Sequence, residues 1–353
     1  MKNTNQPYLT RRLLILLPSL LFLLSITPFY GLESKVSAAD RTPSTLYFHI
    51  VKQSNVLSIR AELGDLTKTT AFGKESGSLI DSFHYLYSVL DNRGDHNTAF
   101  QNRLDHLSAR ILAPFKSLIN KSQRIIFIID PEFIRFPLDL LKINGNYLFL
   151  QKPVIYGFQK LKTQNPAYLP PKDSAGLIVR DATADPEDGC MAGKNLFQNS
   201  SYYNTAGLKL DQLSGLAGID FVLMSVHGMI AVEKSDYIII NGERLQPDFL
   251  NQFHPKFIYL DSCRLGVSYS FISNAMKSGT IFYLGPIVIN EAGNSSTKTI
   301  QYFFQEIAAG NSFGDSLFQT RVRLYDEFKE NVNASRLFWY CFPFRVYWLN
   351  EYE

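Results

Sequence analysis

The sequence predicts an α/β fold in which a mainly parallel sheet is sandwiched between helices. Two observations carry this expectation. Five short, continuous apolar runs, "RIIFIID" (Arg124 to Asp130), "GLIVR" (Gly176 to Arg180), "FVLMSVHG" (Phe221 to Gly228), "FIYLDSC" (Phe257 to Cys263) and "TIFYLG" (Thr280 to Gly285), suit strands buried on both faces. The segments between and after them, Leu208–Leu216, Gln246–Phe253, Ser270–Lys277, Thr297–Ala308 and Phe313–Phe328, have helical apolar spacing. Strands that alternate with helices imply crossover units, and crossovers imply parallel pairing.

Before the first run, "STLYFHIVKQSNVLSIRAEL" alternates apolar and polar residues on both sides of "KQSN", the pattern of a hairpin. Residues Leu79 to Leu118 carry helix-like spacing interrupted by "DNRGDHNTAF". The connection "NPAYLPPKDS" (Asn165 to Ser174) reads as a linker inside one domain.

The 353 residues are 46% hydrophobic, 14% aromatic and 19% charged, a globular composition. Of 35 basic and 32 acidic residues, Lys2, Arg11, Arg12, Lys35 and Glu33 fall in positions 1–38, leaving 31 of each sign beyond them. A neutral domain without a Lys/Arg cluster lacks the basic face that nucleic acid requires.

Positions 1–38 themselves begin basic, become strongly apolar from Leu13 to Leu24, and lead to small residues at Ser37, Ala38 and Ala39. This is the pattern of an export signal. The uncharged run Leu13 to Gly31 is also about as long as a bilayer is thick, so a retained membrane anchor is the second reading. In both, Arg11 and Arg12 stay on the cytoplasmic side and the domain from residue 39 to 353 is exported, periplasmic, extracellular or tethered. Three cysteines, Cys190, Cys263 and Cys341, leave at least one free thiol, and no C-x-x-C or H-x-x-x-H spacing suggests zinc.

In open sheets of this class, ligands bind where the strands end at their carboxyl termini. Two strands end in chemically capable residues, His227 and Cys263, which lie 36 positions apart, enough for one crossover onto an adjacent strand. An imidazole within reach of a thiol makes it a nucleophile near neutral pH. The backbone N–H groups of Gly228 and Cys263 are the candidates for an oxyanion hole. His254 is the competing base, but "NQFHPKF" puts it at the entry of its strand, and His49, His84, His96 and His106 are expected outside the sheet.

With these residues in view, the sequence resembles the CHAT family of caspase-like cysteine peptidases, relatives of caspases, metacaspases and separase. The resemblance covers nearly the whole chain after the signal. "FVLMSVHGMI" matches the family's His-Gly strand and "FIYLDSCRLG" its Cys strand. "RIIFIIDPEFIRFPLDLLKINGNYLFLQKPVIYGF" resembles its early strand, P-x-x-x-L segment and return strand. The stretch from Thr280 to Leu324 resembles its next strand and two closing helices, and "RLFWYCFPFRVYW" its terminal strand. The resemblance implies a caspase-like helix/sheet/helix sandwich and a cysteine endopeptidase with His227 as base and Cys263 as nucleophile. It requires no metal or organic cofactor. The family usually has Ser-Ala or Asn-Ala before the cysteine. Here Asp261-Ser262 stands there, closer to the metacaspase D-S-C, whose acidic residue helps bind a basic side chain on the acyl side of the cut bond. Asp261 is therefore the candidate substrate-binding residue, favouring Arg or Lys, with capping of the following turn as the alternative. The partner implied is a protein or peptide substrate. The tetratricopeptide arrays that often precede the family's domain are absent from this sequence, so a recognition arm is expected to be a separate protein, if one exists. A catalytically silent peptide-binding module is the alternative function.

Overall fold

The computed structural model describes residues 44–351, apart from 163–169, 171–172, 214–215, 217 and 231–235. The first strands follow from local rules. β1 (Thr45–Gln53) and β2 (Val56–Leu63) pair antiparallel through a two-residue turn in which Ser54 (φ 50°) and Asn55 (φ 66°) both take the left-handed region, as the primed turns of tight hairpins require. β3 (Leu66–Ala71) extends the meander across Gly64 and Asp65. α1 (Ser76–Asp91) and α2 (Thr98–Leu107) occupy the region of helix-like spacing, and the break between them ends on Asn97, whose side chain accepts from Phe100 N and caps α2.

The remaining strands of the sheet are β4 (Arg124–Ile129), β5 (Val154–Gly157), β6 (Gly176–Arg180), β7 (Ser201–Asn204), β8 (Phe221–Ser225), β9 (Phe257–Asp261), β10 (Phe282–Pro286) and β11 (Phe344–Trp348). The helices among them are α3 (Cys190–Leu196), α4 (Tyr269–Lys277), α5 (Ser295–Ala308), α6 (Phe313–Phe328) and α7 (Ala334–Cys341). All eleven strands form one sheet in the order β3-β2-β1-β4-β5-β11-β10-β9-β8-β6-β7. Seven of its ten pairings are parallel. The antiparallel β10–β11 contact joins two parallel blocks of opposite direction.

Alternate residues of each central strand enter different cores, because successive side chains of a strand point to opposite faces. Val222, Met224, Ile258 and Leu260 belong to the same core as apolar residues of α1, α2 and α4, whereas Phe221, Leu223, Phe257 and Tyr259 belong to the one that holds apolar residues of α5 and the start of α6. The mainly parallel helix/sheet/helix sandwich expected from the apolar runs is thus present.

The structure also corrects several expectations. The described part of Leu208–Leu216 holds a 3₁₀ turn at Leu210–Gln212 rather than an α-helix, and Gln246–Phe253 likewise holds a 3₁₀ segment at Pro247–Gln252. In the second case, Pro247 opens the turn and Pro255 follows too soon for a longer helix. His49 is not outside the sheet. It lies on β1, where it faces Glu62 at 3.6 Å, far along the strand order from His227 and Cys263. Among the described strands, β3, β7 and the hairpin Tyr237–Ile240/Glu243–Leu245 fall outside the expected elements: β3 is largely polar, β7 is short, and Tyr237–Ile240, although apolar, is only four residues long. Positions 1–38, the expected signal or anchor, lie outside the described residues. No helix among the described residues is long and apolar enough to cross a membrane.

Candidate functional site

β8 and β9 are parallel neighbours with Phe221 opposite Phe257 and Ser225 opposite Asp261. The 36-residue interval between His227 and Cys263 is this register offset, so both lie two positions beyond the last paired residues. Neighbouring strands are about 4.8 Å apart, and the two side chains line one cleft of about 140 Å³ together with Asp261, Asn290, Glu291 and Ala184. The cleft lies where the strand order reverses: β7 flanks β6 on one side and β8 on the other. Such switch points leave a crevice between diverging connections.

The thiol is held by a tightly packed turn. Arg264, the next residue, takes the left-handed conformation (φ 64°), which costs a non-glycine residue roughly 1–2 kcal/mol. Three contacts offset that cost. Arg264 N donates to Val288 O at 3.1 Å, its Nε donates to Asp91 Oδ1 at 2.8 Å, and Asp91 also accepts from Ile289 N at 3.3 Å. Gly228 lies against the turn so closely that a Cβ would sit 2.9 Å from Ser262 Cβ and 3.3 Å from Cys263 O. Gly266 makes room for the neighbouring strand: a Cβ there would lie 2.2 Å from Gly285 O.

Cys263 is half-buried, and its Sγ faces Asn290 O at 3.9 Å. Burial raises its pKa above the usual thiol value, with Asn290 and Arg264 acting against that rise and Asp261 adding to it. The resting group at neutral pH is therefore the thiol, which needs a base to become nucleophilic. Cys190 and Cys341 are buried in the two cores, where burial raises their thiols further. His227 is exposed at the cleft, and its Nε2 lies 2.8 Å from Thr183 Oγ1. Gly228 pairs with Ile238 across a small ribbon, while Ile239 N donates to His227 O at 2.9 Å. In the antiparallel pattern this makes the Gly228 rung the non-bonded one, and its N–H turns away from the hairpin partner. His254 bonds Ser278 O at the opposite end of β9, as expected for a residue at the strand's entry.

Asp261 lines the cleft but is nearly fully buried. Its carboxylate accepts from Ser225 Oγ at 2.6 Å, Asn290 Nδ2 at 2.5 Å, and Ser296 Oγ at 2.9 Å to each oxygen. Burial raises its pKa to about 6, and the hydrogen bonds from Ser225, Ser296 and Asn290 keep it from rising further. These bonds come from side chains of β8, α5 and the loop after β10, and the capping alternative, in which turn N–H groups would be the donors, finds no such bond among the described residues.

Sequence reasoning missed Asp181 and Thr183, which follow β6. The run "GLIVR" marks its end, but "DATAD" after it has the composition of an ordinary turn. β6 pairs with β8 so that Arg180 lies opposite Ser225, placing Asp181 beside the strand that ends in His227.

Compared with known proteins, the chain matches no protein-family model, and no curated protein sequence matches it. Among solved structures it is similar to that of the Saccharomyces cerevisiae separase–securin complex, with a TM-score of 0.50 and 8% sequence identity. The fold is caspase-like. The similarity covers 87% of this chain and 30% of the other, so the present chain spans less than a third of that protein's length. At this identity the likeness establishes architecture, and the chemistry has to come from the site itself.

Proposed function

We propose that the chain is a cysteine endopeptidase of the CHAT type, acting on a protein or peptide substrate. The observation that carries this reading is the in-register placement of His227 and Cys263 at the carboxyl ends of adjacent parallel strands, lining one cleft. His227 takes the thiol proton as Sγ attacks the scissile carbonyl. The tetrahedral oxyanion is received by the N–H groups of Gly228 and Cys263, and the proton passes to the departing amine as the C–N bond breaks. Water, deprotonated by the same imidazole, then releases the acyl group and restores the thiol. The fold likeness to a separase solved with securin is consistent with a protein partner for this chain as well, one that would recognise substrate or restrain the site. Export through positions 1–38 remains part of the proposal, and N-terminal sequencing of the fractionated protein tests it: a cytoplasmic chain that still begins at Met1 refutes export.

The direct test uses a thiol-directed peptide probe and iodoacetamide. Cys263 is expected to be modified first, with Cys190 and Cys341 much slower because both are buried. Cys263→Ala should abolish both labelling and cleavage. A parent chain that neither labels at Cys263 nor cleaves would leave a silent peptide-binding module.

The acidic lining of the cleft, Asp261 and Glu291, favours Arg or Lys on the acyl side of the cut bond. Because Asp261 titrates near 6, its charge is largely absent at pH 5 and largely present at pH 7. The preference for an Arg over a Leu peptide is therefore expected to grow between pH 5 and 7 in the parent and to grow less in Asp261→Asn. Matched fluorogenic peptides measure this, and an equal pH trend in the two proteins would remove Asp261 from specificity.

A further inference from the structure

Resting on the peptidase reading of His227 and Cys263, we propose that Thr183 and Asp181 are positioning residues that hold His227 with its proton on Nε2, leaving Nδ1 to exchange protons with the thiol. Three groups in a chain share too few hydrogens for any other arrangement. Thr183 Oγ1 lies 2.6 Å from Asp181 Oδ1 and 2.8 Å from His227 Nε2. A threonine hydroxyl has one hydrogen. A carboxylate can only accept, so that hydrogen goes to Asp181. The threonine oxygen then has only lone pairs to offer the ring, and Nε2 must be the donor. Nδ1 is the remaining basic nitrogen. It takes the proton as the S–C bond forms and returns it as the C–N bond breaks, while Nε2–H stays bonded to Thr183 throughout.

The chain works only if Asp181 is ionised and immobile. Burial alone would raise its pKa, but hydrogen bonds from the Thr183 hydroxyl and N–H and from the Thr205 hydroxyl outweigh burial and hold it below the ordinary carboxylate range. The bonds measure 2.6 and 2.8 Å to Oδ1 from Thr183 and 2.9 Å to Oδ2 from Thr205. The backbone of Asp181 is fixed as well, its N–H donating to Ser225 O of β8 at 2.8 Å. Thr205 arrives from β7, whose Asn204 lies opposite Arg180, and its N–H donates to Arg180 O at 2.8 Å. Four neighbouring strand ends in one register, β7, β6, β8 and β9, thus supply Thr205, Asp181 with Thr183, His227 and Cys263. The bland reading is that Asp181 and Thr183 only close the turn after β6, which the 2.8 Å bond from Thr183 N does by itself. That bond leaves the Thr183 hydroxyl unexplained, since a turn does not need it pointed at an imidazole.

The test compares Thr183→Val, which keeps the shape and removes the hydroxyl, with Thr183→Ser and Asp181→Asn in the otherwise unaltered chain. Folding is checked first by circular dichroism. Two readouts follow, the kcat and KM for a cleavable peptide and the tautomer of the His227 ring by ¹⁵N NMR. Thr183→Val is expected to lose about 10-fold in kcat at unchanged KM, less than removal of the base itself. Thr183→Ser should restore most of that loss. The parent ring should carry its proton on Nε2, and Thr183→Val and Asp181→Asn should shift it toward a mixture with Nδ1–H. A parent ring protonated on Nδ1, or an unchanged tautomer and kcat in folded Thr183→Val, overturns the proposal. Should the parent cleave no peptide, the peptidase reading falls, whereas the ring's tautomer and its response to Thr183→Val still decide the positioning role.

Discussion

His227→Ala is expected to fold as the parent does and to cleave peptide roughly 10²- to 10⁴-fold more slowly, the usual loss when a general base is removed. Both halves of that expectation come from the same placement. The imidazole is exposed at the cleft, outside both hydrophobic cores, so deleting it leaves no cavity and no buried donor without a partner. Its bond to the Thr183 hydroxyl is open to water, which can replace it. The loss in rate arises because Cys263 rests as a thiol, its pKa raised by burial, and so needs a base, whereas Asp261, which titrates near 6, is nearly fully buried with both oxygens already accepting from Ser225, Asn290 and Ser296. Steady-state cleavage by the variant, beside its thermal unfolding curve, measures the two halves separately. Turnover at the parent rate would make His227 structural and send the search to another base. An unfolded variant would show that the ring belongs to the packing of the domain.

Gly266→Ala should destabilise the protein by about 3 kcal/mol, the upper part of the range for overpacked sites, and should also slow alkylation of Cys263. The clash is between backbones: the new Cβ would stand 2.2 Å from Gly285 O and 2.7 Å from its carbonyl carbon. Neither atom can rotate away as a side chain would. The turn is also clamped from the other side, since Tyr347 OH donates to Gly266 O at 2.6 Å and Tyr283 OH to Leu265 O at 2.9 Å. Relief must come from moving the turn off β10, and Cys263 is three residues away on the same turn. Gly77→Ala is the control. It lies in the first turn of α1 with nothing within 4 Å of its would-be Cβ, and alanine in a helix is favoured over glycine by roughly 0.5–1 kcal/mol. Urea midpoints for the three proteins decide the matter, and equal midpoints for Gly266→Ala and the parent would contradict the close approach.

How much of the site could be seen beforehand varies residue by residue. His227 and Cys263 were legible because each ends a continuous apolar run, and an apolar run names both a buried strand and the place where it emerges. Gly228 was legible as a glycine beside the base, although its reason, the Ser262 Cβ at 2.9 Å, was not. Asp181 and Thr183 end an equally clear run, yet Asp and Thr after a strand are ordinary turn residues. Their chemistry depends on which strand lies next to β6. Asp261 was legible as a carboxylate two residues before the thiol, but its rise to about 6 comes from its burial, held back by hydrogen bonds from Ser225, Ser296 and Asn290, which are brought from three other places in the chain.

By itself the sequence determined the layered α/β class, because hydrophobic period is a local property that survives whatever the strand order turns out to be. It also determined which side chains stand at the ends of the strands. Strand order, register and the resulting neighbours were decided only by the tertiary structure. β6 follows a linker and precedes β7 in the chain, yet it lies between β7 and β8 in the sheet. That arrangement joins Asp181 to His227 across 46 positions of sequence, and it is set by how the strands of the sheet and the helices on its two faces together bury two cores, a property no local window of residues contains.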